Sequence, residues 1–277
     1  MSLRFFSLCI VLIAYTMAEA QSKLTFKDKF MYADVLVANK KDIHNVLSLI
    51  DTGSSLCMID STFAVDSCGV KENELKTALV NETQIKISSA TIDSIHFCGK
   101  TYCKVHCLIV DLMGIYQKYA PKFIVGANIF KSGAWKFDME RSIIEPYNAN
   151  KRATGTVFKW KNHKNYSDVA MDYIIFDSKI DGKKTRFAFD TGCKNNKLQR
   201  NFYTGATEKI QKETANIENK LSIKMVDLCR DVKFKIDKSE FTLDFVIGDY
   251  NIGLLNIEFL QGRSFILNYK KQTLELL

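Results

Sequence analysis

Asn45-Val46-Leu47-Ser48-Leu49-Ile50-Asp51-Thr52-Gly53 and Lys183-Lys184-Thr185-Arg186-Phe187-Ala188-Phe189-Asp190-Thr191-Gly192 are two strand-like runs that end in the same tripeptide, with their aspartates 139 residues apart. In a chain of 277 residues one Asp-Thr-Gly arises by chance on the order of one time in twenty at ordinary residue frequencies. A simple turn, which Asp and Gly both favour, accounts for either tripeptide singly. It does not account for the repetition.

A second pair follows downstream. Ile124-Val125-Gly126-Ala127-Asn128-Ile129-Phe130 resembles Leu254-Leu255-Asn256-Ile257-Glu258-Phe259-Leu260 at an offset of 130, and the same offset lays Trp135-Lys136-Phe137-Asp138-Met139 over Phe265-Ile266-Leu267-Asn268-Tyr269. Between these anchors, Ile95-His96-Phe97 and Val232-Lys233-Phe234 each lead into a turn and a further strand. Order and spacing are kept through two halves, which is the signature of an internal duplication over Phe30 to Leu277.

The rest of the chain reads as β-rich, with alternating β-branched and aromatic runs at Ile85 to Ile95, Lys104 to Val110, Tyr173 to Asp177 and Val232 to Val246. Two stretches read as helices: Lys71 to Val80, and Thr207 to Leu221, where Ile210, Thr214, Ile217 and Leu221 recur at helical spacing. With 47% hydrophobic and 25% charged residues the composition is that of a globular protein with a core.

Residues 1–20 read as a cleaved export signal: Arg4, an apolar run from Phe5 to Ala14, and Ala18-Glu19-Ala20 before Gln21. The run is shorter than the ~20 residues that span a bilayer, so a membrane anchor is the weaker reading. No integral membrane segment is expected after its removal, and the mature protein is expected to be periplasmic or extracellular. Loss of Arg4 and Glu19 together leaves the net charge at +8. The lysines are scattered without an aromatic-interleaved basic stripe, so no nucleic-acid partner is expected.

Seven cysteines remain: Cys57, Cys68, Cys98, Cys103, Cys107, Cys193 and Cys229. An odd number leaves at least one thiol free within the chain. Cys98 and Cys103 flank a short turn and are candidates for a disulfide across a hairpin. His96 and His106 near three cysteines raise a zinc site, but strand alternation puts Cys103 and Cys107 on one face and His106 on the other, so no metal is expected.

The two Asp-Thr-Gly strands and their downstream partners resemble the pepsin and retropepsin superfamily of aspartic peptidases, in particular bacterial-type, two-lobed members similar to a retroviral protease dimer fused into one chain. The resemblance implies a mainly β fold: two similar six-stranded closed β-barrel lobes with an interlobe cleft and a few short helices. It divides the chain into an N-terminal lobe, 21–150, with Asp51, and a C-terminal lobe, 151–277, with Asp190. It makes Asp51 and Asp190 the catalytic pair, with Thr52 and Thr191 hydrogen-bonding across the lobe interface. It assigns Ser54 the hydroxyl that bonds its own lobe's aspartate, and places Cys193 at the equivalent position. It implies no cofactor, a peptide or protein substrate in the cleft, and a monomer, since one chain carries both half-sites.

The chemistry follows from the residues too. Hydrolysis of a peptide bond needs a base to take a proton from water and an acid to protonate the carbonyl oxygen. Two carboxylates held ~4 Å apart repel by about 4 kcal/mol at an effective dielectric near 20, which separates their ionisations by roughly three pKa units and leaves one proton shared. That split is the established behaviour of aspartic-protease dyads, so it is a consistency requirement and not a new result. Gly53 and Gly192 let backbone amides approach the carboxylates without a Cβ in the way.

Three features depart from the family pattern. Cys193 stands where Ser, Thr or Ala is usual, and a thiol is a weak donor. Asn256 replaces an expected glycine, and Asn tolerates a left-handed backbone. The glycine-rich flap has no counterpart, since no glycine occurs between Val70 and Cys98 or between Ala206 and Ile247; Thr83 to Thr91 is the first-lobe candidate. These departures keep open a non-catalytic binding protein on the same fold, which would bind a transition-state isostere without cleaving. A glycosidase would also use two carboxylates, but has no need of the threonine and glycine after each.

Overall fold

The computed structural model of the chain describes residues 20–71, 76–80, 83–162, 172–215 and 221–277. The expected export signal and the sequons at Asn81 and Asn165 lie outside the described residues, Ala20 excepted.

The fold is mainly β, with two closed six-stranded barrels and a few short helices. The first barrel takes its strands from Phe30–Asn39, Asp42–Ile50, Cys57–Asp60, Ser89–Phe97, Lys100–Val110 and Phe123–Val125. It closes where Val37 pairs with Ile95. The second takes Ile174–Ile180, Lys183–Phe189, Lys197–Gln199, Leu221–Ile236, Ser239–Gly248 and Gly253–Leu255, and closes where Ser178 pairs with Ile236. The order of strands around the two barrels is the same.

Alternation explains why these segments are strands. Along Phe30–Asn39, Val35 and Val37 point into the barrel core and are fully buried, while Asp34 and Leu36 face outward. In the second barrel Phe187, Phe234, Phe241 and Phe245 stack inward on one another.

A six-stranded antiparallel sheet ties the barrels together, in the order Thr156–Lys159, Thr273–Leu276, Phe265–Asn268, Ala134–Asp138, Ile143–Tyr147 and Ser22–Lys27. At its centre Lys136 pairs with Ile266. These residues are 130 apart, the repeat offset read from the sequence, so each is the other's counterpart and a pseudo-twofold axis passes between them. Phe137 stacks on Phe265 at 4.2 Å beside it, and one continuous apolar core runs through both barrels.

Several expectations are corrected. Over their described residues the stretches read as helices hold strands: Lys76–Val80 pairs with Thr83–Ile87, and Glu208–Ala215 pairs with Leu221–Leu228. Each barrel therefore carries a hairpin at the same point of its topology, and the Thr83 to Thr91 candidate is the returning arm of the first. The repeat at Phe97 is offset by two residues, because the hairpin turns join Phe97 to Lys100 and Ile236 to Ser239, which restores the offset of 139.

All seven cysteines are free thiols. Cys98 does not reach Cys103; its thiol is buried and donates to the Ile144 carbonyl, while Cys103 pairs with Ser94 and is exposed. Cys103 and Cys107 also fail to share a face. Lys104 adopts a left-handed backbone, φ 54°, which breaks the alternation between them.

Candidate active site

Both aspartates sit just past the end of an inner barrel strand, and each is held by the short strand packed parallel beside it. Asp51 N–H donates to the Val125 carbonyl at 3.1 Å, and Asp190 N–H donates to the Leu255 carbonyl at 2.8 Å. The turns that follow bend each carboxylate back onto its own loop. Gly53 N–H donates to Asp51 Oδ1 at 2.8 Å, and Gly192 N–H donates to Asp190 Oδ1 at 2.9 Å.

The threonines lock the two loops together. Thr52 N–H donates to Thr191 Oγ1 and Thr191 N–H to Thr52 Oγ1, both at 3.1 Å. Each hydroxyl then donates onward, Thr52 to the Phe189 carbonyl at 2.9 Å and Thr191 to the Ile50 carbonyl at 2.7 Å. All four bonds are buried and cross from one barrel to the other, so loop movement would leave unpaired polar groups in a dry interface.

The grip brings the carboxyl groups into hydrogen-bonding contact with each other. Asp51 is 6% exposed and Asp190 partly exposed. Burial, followed by the charge of Asp190, pushes the Asp51 carboxyl well above the usual carboxylate range. Burial also raises Asp190, but the Lys197 ammonium pulls it back. Two raised carboxyls side by side hold one proton between them, and the Lys197 ammonium favours the ionised form of Asp190.

The glycines matter for a further reason. A Cβ on Gly53 would lie 2.4 Å from Asp190 Cγ, and one on Gly192 would lie 2.4 Å from Asp51 Cγ. Each glycine makes room for the other barrel's carboxylate.

Ser54 and Cys193 do not act as the resemblance implies. The Ser54 hydroxyl donates to the Leu56 carbonyl at 2.6 Å, and the Cys193 thiol donates to the Asn195 carbonyl at 3.0 Å. The carboxylates are held instead by the N–H groups of Gly53 and Gly192, while those of Ser54 and Cys193 donate to the backbone carbonyls of Asp51 and Asp190. Thiol and hydroxyl thus do the same job in the two loops, and the weaker donor does not touch the dyad.

Asn256 is not left-handed: its φ is −89°, close to the −100° of Gly126. The position is decided by space. A Cβ on Gly126 would strike the Leu56 carbonyl oxygen at 2.4 Å, whereas Asn256 fits and binds the loop, its Nδ2 donating to the Lys194 carbonyl at 2.8 Å and its N–H to Asn196 Oδ1 at 2.9 Å. Phe130, four residues on from Gly126, is fully buried in the core.

Two residues around the site escaped the sequence reading. Tyr116, at the end of the helix Leu112–Tyr116, has its phenol raised by burial and then by the charges of both aspartates. Lys212 reaches the Asp190 loop from the second hairpin, donating to Asn195 Oδ1 at 2.5 Å. Neither lies in a motif; only the tertiary fold brings them in. Among the described residues no cluster of three or more His, Cys, Asp or Glu could hold a metal ion, and no helix is long and apolar enough to cross a membrane.

A scan against protein-family models gave no match, and neither did a search of curated proteins. The architecture of two closed barrels is compatible with a two-lobed acid-protease fold.

Proposed function

We propose that the chain is an aspartic endopeptidase in which Asp190 and Asp51 activate one water between them. The reading is carried by one observation: the reciprocal Thr52 and Thr191 bonds, which hold two mutually hydrogen-bonded carboxyls on the pseudo-twofold axis. A structural ion pair or a simple turn has no use for such symmetry.

In the proposed reaction the ionised Asp190 takes a proton from water as that water attacks the scissile carbonyl carbon, and Asp51 gives its proton to the carbonyl oxygen. The resulting diol collapses as Asp190 gives its proton to the nitrogen, the C–N bond breaks and a diol hydroxyl passes its proton to Asp51, which restores the starting arrangement. Backbone N–H groups of Gly53 and Gly192 hold the carboxylates throughout, so little reorganisation accompanies the step. Asp51 is nearly buried, so entry of a peptide needs a local opening around the dyad. The substrate is a peptide or protein segment lying between the lobes 21–150 and 151–277, and the active species is an exported monomer.

The test is a mixed peptide library incubated with protein beginning at Gln21, between pH 3 and 7, alongside Asp51→Asn and Asp190→Asn. Cleavage by the wild type and its loss in both folded variants is expected. A folded wild type that cleaves nothing at any pH, yet binds a transition-state isostere, would establish the non-catalytic reading instead.

A further inference from the structure

Lys212 lies in the outer arm of the second hairpin, Glu208–Ala215. Its ammonium rests on the side-chain oxygen of Asn195, five residues beyond Asp190 in the same loop. That arm also packs against the helix Leu112–Tyr116 of the first half, whose Tyr116 lies within electrostatic reach of both aspartates. The hairpin arm therefore bridges the two halves, with Lys212 beside the loop that carries Asp190.

Its surroundings are those of a cation short of an anion. Lys29 and Lys194, its ammonium neighbours, already hold carboxylates of their own: Glu258 at 2.8 Å and Asp28 at 2.7 Å. Among the described residues no carboxylate forms an ion pair with Lys212. Burial lowers its pKa to about 8, with Lys29 and Lys194 pushing the same way and Cys193 and Glu258 opposing. A half-buried ammonium that hydrogen-bonds a neutral amide oxygen and, among the described residues, pairs with no carboxylate has lost water without recovering a counter-charge of its own, and an incoming carboxylate restores the balance.

We propose that Lys212 determines specificity by receiving the carboxylate of an acidic residue in the bound peptide. The proposal deepens the peptidase reading and takes its substrate class from it, but the binding step needs no turnover. A charge-assisted hydrogen bond in a half-buried site is worth about ten- to a hundredfold in affinity or kcat/KM. Both partners are charged between about pH 5 and pH 7, above the carboxylate range and below the pKa of Lys212.

The experiment uses peptides with a single Glu walked along the sequence, each matched by its Gln counterpart. Each is made as a cleavable substrate and with a reduced amide at the scissile bond. Wild type is expected to favour Glu about ten- to a hundredfold at one position at pH 5 to 7. Lys212→Met should abolish the preference and Lys212→Arg keep most of it. Equal treatment of Glu and Gln at every position, or an unchanged preference in Lys212→Met, overturns the proposal. Lys212-dependent binding of the reduced-amide Glu peptide with no cleavage of any substrate would uphold the anion site and refute the peptidase reading.

Discussion

Replacing Gly53 with alanine should disable the aspartate of the opposite half. Gly53 has no positive φ, so alanine adds no backbone strain. Its Cβ would lie 2.4 Å from Asp190 Cγ, against 3.4 Å for the shortest ordinary contact, so the Asp190 carboxyl must move by about 1 Å. A 1 Å misplacement of a reacting group costs on the order of a hundredfold in rate, or about 2.7 kcal/mol of transition-state stabilisation. The overlap should also cost about 1–3 kcal/mol of folding stability. Gly192→Ala should act in the mirror sense on Asp51. The assay is kcat/KM on a peptide substrate at mildly acidic pH, with a crystal structure of each variant. A Gly53→Ala enzyme within threefold of wild type, or one whose Asp190 carboxyl has not moved, would refute the reasoning.

Thr191→Val strips partners from Thr52 N–H and the Ile50 carbonyl, both buried, and should cost about 2–5 kcal/mol in urea denaturation, with Thr191→Ser much milder. The Asp51 carboxyl has a raised pKa, so the folded state binds its proton more tightly than the unfolded state does. The stability this contributes is complete below the unfolded carboxylate pKa, near 4, and is lost as pH rises through the folded value. Asp51→Asn should therefore gain on wild type in urea midpoints measured from pH 4 to pH 7; a pH-independent difference would contradict this. Cys193→Ser should leave stability within about 0.5 kcal/mol and activity within about threefold, because the side chain bonds only the Asn195 carbonyl.

The duplication was legible because it is written in short, spaced identities. Asp51-Thr52-Gly53 against Asp190-Thr191-Gly192 located the carboxyl pair, and the 130-residue offset located the strand pair Lys136 and Ile266 at the axis. The hairpin arms were misread for a physical reason. Ile210 and Thr214 lie four apart, a spacing that puts two side chains on one face of a helix and equally on one face of a strand, so pattern alone could not choose between them. Pairing with Leu221–Leu228 decided for the strand. The left-handed Lys104, which separates Cys103 from Cys107, leaves no mark in composition. Tyr116 and Lys212 lie outside both tripeptides, and only packing brings the first within reach of the aspartates' charge and the second to the loop after Asp190.

Lys197 has a counterpart under the pseudo-twofold axis. It pairs with Leu254 as Met58 pairs with Ile124, so an uncharged thioether stands in one copy where an ammonium stands in the other. In an assembly of two identical chains every substitution appears twice, and neither carboxyl could be favoured over its twin. Joining the copies in one polypeptide removes that constraint, and this chain has used the freedom to set a lysine near one acid and a thioether at the matching place in the other copy.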